Sequence, residues 1–471
     1  MKKNTNTILL IFTIFLIVEF VLCINVPFFW DGMTKVGRAE WIYDHNFSSL
    51  IVPTEINSGH PPLWITLLAG SWALLGKSLW VSRLLLLVVN WGVLYQLLLL
   101  CKKLFADRVS IFWFFLLCIE ATLLTQTTSL NNDMLLLFFV LLSCNAILSN
   151  RWFLLTLALA GVLMTNLRGI YCIIGLGVFH GILYRYKLVS ASRKIIWSYL
   201  LACIVFGAFV LYQYSELGWA IISQNESYAK HRKTGSWLRV LHKGRAFLVH
   251  AFEYGRIFLW VPLAILLGVA FKKYRWKLPS EIKIPFIGLA VFTAVFILGF
   301  VPFTNPIGPR YLMICYIFGI ILLLNLVYIL PLQKWVRKAT LIFVAIGFLT
   351  GHLWVYPATT DQAWDSTLAY LNYYPVKSDM LQFLDEKNID ETSVGTNLRL
   401  RNLYIVPALK PNRTFAFKRL DLDTNEYVLF SNIENDTSPD QIETLRTQWT
   451  EIKSFSQMGV FITLYKNPNF R

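Results

Sequence analysis

Long apolar runs, repeated along the first three quarters of the chain, constrain its fold more than any other feature. A helix of about 17–25 apolar residues crosses about 30 Å of hydrocarbon. A backbone in lipid must satisfy its own hydrogen bonds, which leaves helices or closed barrels, and runs of this length suit helices. Charged residues make up only 15% of the 471, against about a quarter in soluble domains. The spacing predicts about eleven spanning helices, near 8–29, 79–101, 109–127, 132–149, 152–168, 169–185, 195–214, 255–271, 284–301, 311–331 and 339–356. Residues 63–76 read as a short or re-entrant helix. The first run, Ile8 to Phe29, is too long for a signal-peptide core and lacks a small-residue cleavage site, so we read it as a retained helix.

The net charge of +16 is a topology signal and does not point to nucleic acid. Lys2-Lys3, Lys102-Lys103-Arg108, Arg151, the Arg185–Lys194 loop, the Lys272–Lys283 loop and Lys334-Arg337-Lys338 fall on alternate connections, which places them on the cytoplasmic side. The first loop, 30–62, then lies outside. So do Asn131-Asn132-Asp133, Arg168-Gly169, the 215–254 loop, Pro302 to Arg310 and the tail. The seven cysteines lie in or beside apolar runs, without metal-binding spacing, and read as small buried residues. From about 357 the chain turns polar. Leu381–Lys387 and Gln441–Trp449 read as helices, and Tyr427–Ser431 and Gly459–Tyr465 as strands, so 357–471 is expected to form a small extracytoplasmic α/β domain beside a membrane domain, 1–356.

Asp31, at the first membrane exit, is the leading candidate for chemistry. It precedes an amphipathic stretch containing Met33, Val36, Ala39, Glu40, Trp41 and Tyr43, which suits a helix lying on the membrane surface. A carboxylate there can cap a helix, or act as a general base that orients an acceptor. His60-Pro61-Pro62 starts the short apolar helix, with proline in its first turn, and puts His60 beside helix N–H groups that favour an anion. Asp133 begins a span, where the helix dipole favours an acid. Arg168 and Arg310-Tyr311 are cations at the membrane border on the outer side, suited either to lipid headgroups or to bidentate phosphate binding. Lys230-His231-Arg232-Lys233, Arg239, His242-Lys243 and Arg245 form a basic patch with no acid between Glu226 and Glu253, and read as a phosphate-binding surface.

Together these residues resemble the GT-C membrane glycosyltransferases, in particular the protein O-mannosyltransferase and lipid A aminoarabinose transferase family, glycosyltransferase family 39. The resemblance covers about 8–356. It rests on Asp31, His60-Pro61-Pro62-Leu63, Gly76 to Arg83 (GKSLWVSR), Asp133, Asn166 to Gly169 and Pro309-Arg310-Tyr311-Leu312. The family often has an Asp-Glu pair where this chain has Asp31-Gly32, an acid and a lysine where it has Gly59-His60, and a lysine at Arg168.

The resemblance implies a bacterial enzyme of the inner membrane. It would transfer a sugar with inversion from a polyprenyl-phosphate donor to a glycolipid, glycan or protein on the extracytoplasmic face. Asp31 and Asp133 would then be catalytic. His60, Arg168, Lys230, Arg232, Lys233, Arg310 and Tyr311 would hold the donor phosphate. No nucleotide loop is present and no cofactor is required, although Asp31 and Asp133 leave a shared divalent metal open. The alternative reading is a transporter or flippase for a lipid-linked anion. Such proteins usually carry repeats and midplane polar groups, which this chain lacks. A scaffold whose tail recruits partners would leave the outer acids and cations without a purpose.

Overall fold

The structure is a computed structural model that describes residues 2–105, 110–190, 193–275, 277–397 and 416–470. The bundle comprises α1 (Lys2–Cys23), α2 (Asp31–Asp44), α3 (Leu63–Leu75), α4 (Leu79–Phe105), α5 (Ile111–Cys118), α6 (Ala121–Thr128), α7 (Asp133–Leu148), α8 (Trp152–Thr165), α9 (Gly169–Arg185) and α10 (Arg193–Leu217). It continues through the short α11 (Glu226–Ala229), α12 (Trp237–Phe252), α13 (Ile257–Tyr274), α14 (Ser280–Phe300), α15 (Met313–Ile329) and α16 (Lys334–Gly351).

Each expected span coincides with a helix or a helix pair, but they are not alike. Among the described residues, six helices are long and apolar enough to cross a membrane: Thr5–Cys23, Leu79–Phe105, Lys194–Leu217, Ile257–Tyr274, Ser280–Phe300 and Pro309–Ile329. The expected 109–127 span is a broken one, α5 and α6, bent by 72°. α7, α8 and α9 are apolar but have only 16, 14 and 17 residues. The chain leaves helical geometry early at 129–132 and 166–168, where Asn131, Asn132 and Asn166 are buried and hydrogen-bonded. Non-helical backbone at such depth is tolerated only inside protein or beside a water-filled cavity. α16 starts with Lys334, Arg337 and Lys338 and is not among the six. The 215–254 segment, read as a loop, contains α12.

The tail carries α17 (Tyr373–Glu386), α18 (Pro439–Gln448) and strands β1 (Val394–Thr396), β2 (Lys418–Arg419), β3 (Tyr427–Ser431), β4 (Thr450–Gln457) and β5 (Val460–Lys466). They form a sheet ordered β2-β1-β3-β5-β4, with β1 parallel to β2 and β3, and with β5 antiparallel to β3 and β4. α17 begins eight residues before the expected Leu381. Pro375 sits in its first turn, where the missing N–H costs nothing, and Tyr373, Val376, Met380 and Leu384 are buried along one face. The tail packs directly on the bundle. Phe29, from the first membrane exit, belongs to the tail's apolar cluster, its ring 4.9 Å from that of Tyr370.

α15 is apolar all round and buried along nearly its whole length, as expected of a central helix. It packs against α13 and α14. Beside it a buried ion pair fixes the bend between α5 and α6. Glu120 caps α6 by accepting from Leu123 N at 2.8 Å and accepts from Arg256 Nε at 2.7 Å. Arg256 also donates to Glu253 O at 3.1 Å and to Thr122, and lies 4.0 Å from the Tyr316 ring. Removing one partner of such a pair leaves the other charge uncompensated, at a cost of about 3–5 kcal/mol. Glu120→Ala is therefore expected to lower stability by that amount. A thermal or denaturant unfolding midpoint in detergent equal to that of the parent protein would contradict it.

Candidate active site

Polar turns from several parts of the chain meet at one end of the bundle. They are the α1–α2 junction, 58–60, the turn before α9, α12, residues 305–311 and residues 361–365 of the tail. They enclose a cavity of about 1130 Å³.

Its inner wall is a cluster of opposite charges. Asp31 is the first residue of α2 and follows Trp30, whose backbone has φ 40° and ψ −113°. A bulky residue in that region is strained, and the turn it makes sends Asp31 toward the cavity. Arg310 lies in the tight turn Pro309–Leu312 that feeds α15. Its guanidinium meets a carboxylate at each nitrogen: Nη2 donates to Asp31, Nη1 donates to Asp365, and Nε lies 3.7 Å from Asp133. Arg168 donates to the other oxygen of Asp133, and its guanidinium stacks 3.9 Å from the Tyr311 ring. Arg168 is held by a local turn. Its N–H donates to Asn166 Oδ1 at 3.0 Å, and Gly169 follows where a Cβ would meet Val162 O at 2.2 Å. Lys35, one helical turn after Asp31, donates to Asn131.

Exposure separates the three acids. The Asp133 and Asp365 side chains are 1% and 7% exposed, whereas that of Asp31 is 49% exposed. Asp31 is thus the carboxylate of this cluster that a substrate in the cavity can reach. Burial raises Asp365 above the usual carboxylate range, opposed by Arg310.

The opposite wall is cationic. Arg38, two turns after Asp31 on the same helix face, donates to Ile56 O at 2.7 Å, Ser58 Oγ at 2.6 Å and Tyr228 OH at 3.0 Å. Arg232 reaches Ser58 O at 3.4 Å. α12 turns His242, Lys243 and Arg245 to the cavity, while Trp237, Leu238, Leu241, Leu248 and Phe252 are exposed. Among the described residues, no carboxylate pairs with Arg38, Arg232, Lys243 or Arg245. Burial pushes Lys35 and Lys243 down to about 8.

His60 lines the cavity, with Nδ1 3.4 Å from Leu167 N. It follows Gly59, which has φ +77° and where a Cβ would meet Ile221 O at 2.3 Å, so only glycine fits. Burial, then Arg232 and the other nearby cations, hold His60 well below its usual value. At neutral pH it is an uncharged imidazole whose Nδ1 accepts, so Nε2 carries the proton.

Of the residues singled out from sequence, Asp31, His60, Arg168, Arg232, Arg310 and Tyr311 line this cavity, and Asp133 lies behind it, paired to Arg168 and near Arg310. Lys230 and Lys233 are exposed and do not line it. Their backbones clasp Thr304, Lys230 O accepting from Thr304 Oγ1 at 2.8 Å and Lys233 O accepting from Thr304 N at 2.9 Å. Lys243 and Arg245, read from the sequence as part of the basic patch, line the cavity, and Lys35, Arg38 and Asp365 line it without having been put forward as site residues. Lys35 and Arg38 stand at i+4 and i+7 from Asp31, a spacing that could have found them. Nothing local marks Asp365. Among the described residues no three His, Cys, Asp or Glu side chains group to hold a metal. The three acids are directed at guanidinium, so the arrangement does not fit a divalent ion between Asp31 and Asp133.

No protein-family model and no curated protein matches the sequence. Solved structures do match. ArnT from Cupriavidus metallidurans bound to undecaprenyl phosphate aligns over 97% of both chains, at 11% identity and a TM-score of 0.52. Its apo state aligns over the same share at 11% identity and a TM-score of 0.53. The arabinofuranosyltransferase AftD from Mycobacteria aligns with 96% of this chain and 39% of its own, at 12% identity and a TM-score of 0.42. At such identities the likeness to ArnT is one of fold, and the chain is a polytopic helical membrane protein of the GT-C fold with a small C-terminal sheet domain.

Proposed function

We propose that the protein is a glycosyltransferase that moves a sugar from a polyprenyl-phosphate donor to an envelope acceptor in this cavity. The observation that carries the reading is the pairing of a reachable, arginine-anchored carboxylate with a cationic wall that no acid neutralises. The ArnT fold, seen with undecaprenyl phosphate in one of those structures, supports the same donor class.

Asp31 accepts the proton of the acceptor hydroxyl or amine as it attacks the anomeric carbon. The bond from that carbon to the phosphate oxygen breaks, and the lipid phosphate leaves with the electron pair. Inversion follows from a single displacement. Arg38, Arg232, Lys243 and Arg245 stabilise the departing phosphate, and fixed cations in a partly dry site do this without reorganising. His60 contributes a neutral Nε2–H donor. Arg168 and Arg310, singled out from sequence as phosphate ligands, are engaged with carboxylates, so their role is to keep the acids ionised and aimed. Tyr311 packs under Arg168. Lys230 and Lys233 act through backbone position. The exposed apolar residues of α12 face lipid, so a polyprenyl chain leaves beside them while its phosphate sits against the basic side. The positive-inside pattern supports an extracytoplasmic face of a bacterial inner membrane for the cavity and tail.

The reading is tested by incubating purified protein with lipid-linked sugars and envelope fractions, and following release of polyprenyl phosphate together with sugar transfer. A folded protein that releases none from any donor would sink it. Asp31→Asn is expected to lower turnover about 10²–10⁴-fold with normal elution and unfolding. Full turnover in that variant would remove Asp31 from the role of base.

Lys243, at about 8, carries its charge at pH 7 and loses it as pH rises through 8 to 9. Affinity for a phosphate ligand falls in that direction, so the donor KM is expected to rise several-fold between pH 7 and 9, and Lys243→Arg to flatten the rise. A KM that does not change over this range would count against phosphate binding at that wall.

A further inference from the structure

The tail is joined to the charged cluster by one side chain. Asp365 sits in the tight turn Trp364–Ser366, in the segment that links α16 to the tail's sheet. Its carboxylate reaches Arg310 Nη1, at the other tip of the fork from Asp31. The turn is fixed from two directions. On the bundle side, Gln126 Nε2 donates to Asp365 O at 2.6 Å and Thr122 Oγ1 to Ser366 O at 3.3 Å, both from α6. On the tail side, the fully buried Trp364 donates through Nε1 to Asn432 O at 3.0 Å, just past β3.

We propose that Asp365 is a positioning residue of the active site, supplied by the tail, which pins one tip of Arg310 so that the other tip aims Asp31 at the acceptor. The inference rests on the transfer reading above. A guanidinium is planar and its five N–H groups have fixed directions, so fixing Nη1 fixes the direction of Nη2. Asp133 cannot replace this anchor. It approaches only Nε, at 3.7 Å, and its other oxygen is taken by Arg168. Asp31 is half exposed, and Arg310 Nη2 donates to its carboxylate, so the direction of Nη2 bears on where that carboxylate points. Asp365 touches neither donor nor acceptor in this scheme. Its removal acts on the attack step and leaves the phosphate wall of Arg38, Arg232, Lys243 and Arg245 in place.

The test uses the full chain, purified in detergent, with Asp365→Asn and Asp365→Glu compared with the parent. Because misplacing a reacting group by about 1 Å costs on the order of 100-fold in rate, Asp365→Asn is expected to lower kcat about 10- to 100-fold. The donor KM should stay within about threefold, and the glutamate variant should recover part of kcat by restoring the charge. A purely structural salt bridge would not divide kcat from KM in this way. If kcat is unchanged in Asp365→Asn, if the loss falls on KM, or if the glutamate variant is as slow as the asparagine one, the proposal is overturned. Should Asp365→Asn aggregate, Gln126→Met loosens the same turn without touching a charge. It is expected to lower kcat several-fold at constant KM, and full activity there overturns the proposal. Hydrogen exchange tests the tether without activity. Asp365→Asn, or Gln126→Met in its place, should speed exchange in 121–126 and 364–368, and unchanged exchange there overturns the tether. A parent protein that transfers no sugar, with variants that speed exchange in this way, would instead overturn the transfer reading and leave the tether standing.

Discussion

The Arg310 guanidinium, shared among three carboxylates, is the interaction on which the rest of this structure depends. Asp31 comes from the first membrane exit, Asp133 from the start of α7 and Asp365 from the tail. Taking a cation and its partners out of water costs several kcal/mol per ion, and only well-directed hydrogen bonds repay it. The backbone supplies that direction. The turn Pro309–Leu312 leads straight into the most buried helix of the bundle, so Arg310 is as fixed as α15 itself. Through its three partners, that rigidity passes to the α1–α2 junction, to α7 and to the sheet domain.

The charges around the cavity fall into two sets with different chemistry. In the inner set, Asp31, Asp133 and Asp365 face Lys35, Arg168 and Arg310, three acids against three bases. A balanced set keeps its acids ionised without drawing in an anion. In the outer set, Arg38, Arg232 and Lys243 donate to backbone oxygens or neutral side chains, and among the described residues no carboxylate pairs with these three or with Arg245. An excess of positive charge in a concave, partly apolar wall attracts anions. A reaction that needs a base at one end and releases a phosphate at the other requires this division, and a uniformly basic cavity would tie up its own base.

The membrane architecture was largely legible in the sequence because hydropathy reports directly on burial in lipid. Each expected span coincides with helical structure. α9 has the bounds expected for it and α7 differs by one residue at each end, whereas α8 stops three residues early. What hydropathy could not show was the α5–α6 bend, because Glu120, which caps α6, meets its partner Arg256 only after folding. In the tail, Tyr427–Ser431 was read correctly, since its residues are buried, whereas β4 is an exposed edge strand with no apolar alternation to detect. At the site, Asp31, Arg168 and Arg310 stood out because charge at a membrane border is rare. Asp365 did not, because an acid in a polar tail is ordinary. Its place comes from the fold, which carries it back across more than 300 residues of sequence to share Arg310 with Asp31. Lys230 and Lys233 drew attention by density of charge, but density does not tell which side of a turn faces the cavity.

The bent α5–α6 pair, the short helices and α12 together explain how a polar cavity can open in an apolar bundle. Four apolar helices, α3, α7, α8 and α9, have only 10–17 residues, and the turn that ends α8 supplies Asn166 and Arg168 to the cavity. Continuous helices there would have filled the same space with apolar side chains. α12 then bounds the cavity with a basic side inward and Trp237, Leu241, Leu248 and Phe252 outward. A helix divided in this way is stable only where lipid and a charged cavity meet across its width. A ligand with a long hydrocarbon tail and a phosphate head matches both sides of that helix at once. A soluble sugar nucleotide would match only the inner one, and this asymmetry, more than the number of basic residues, favours a lipid-borne donor.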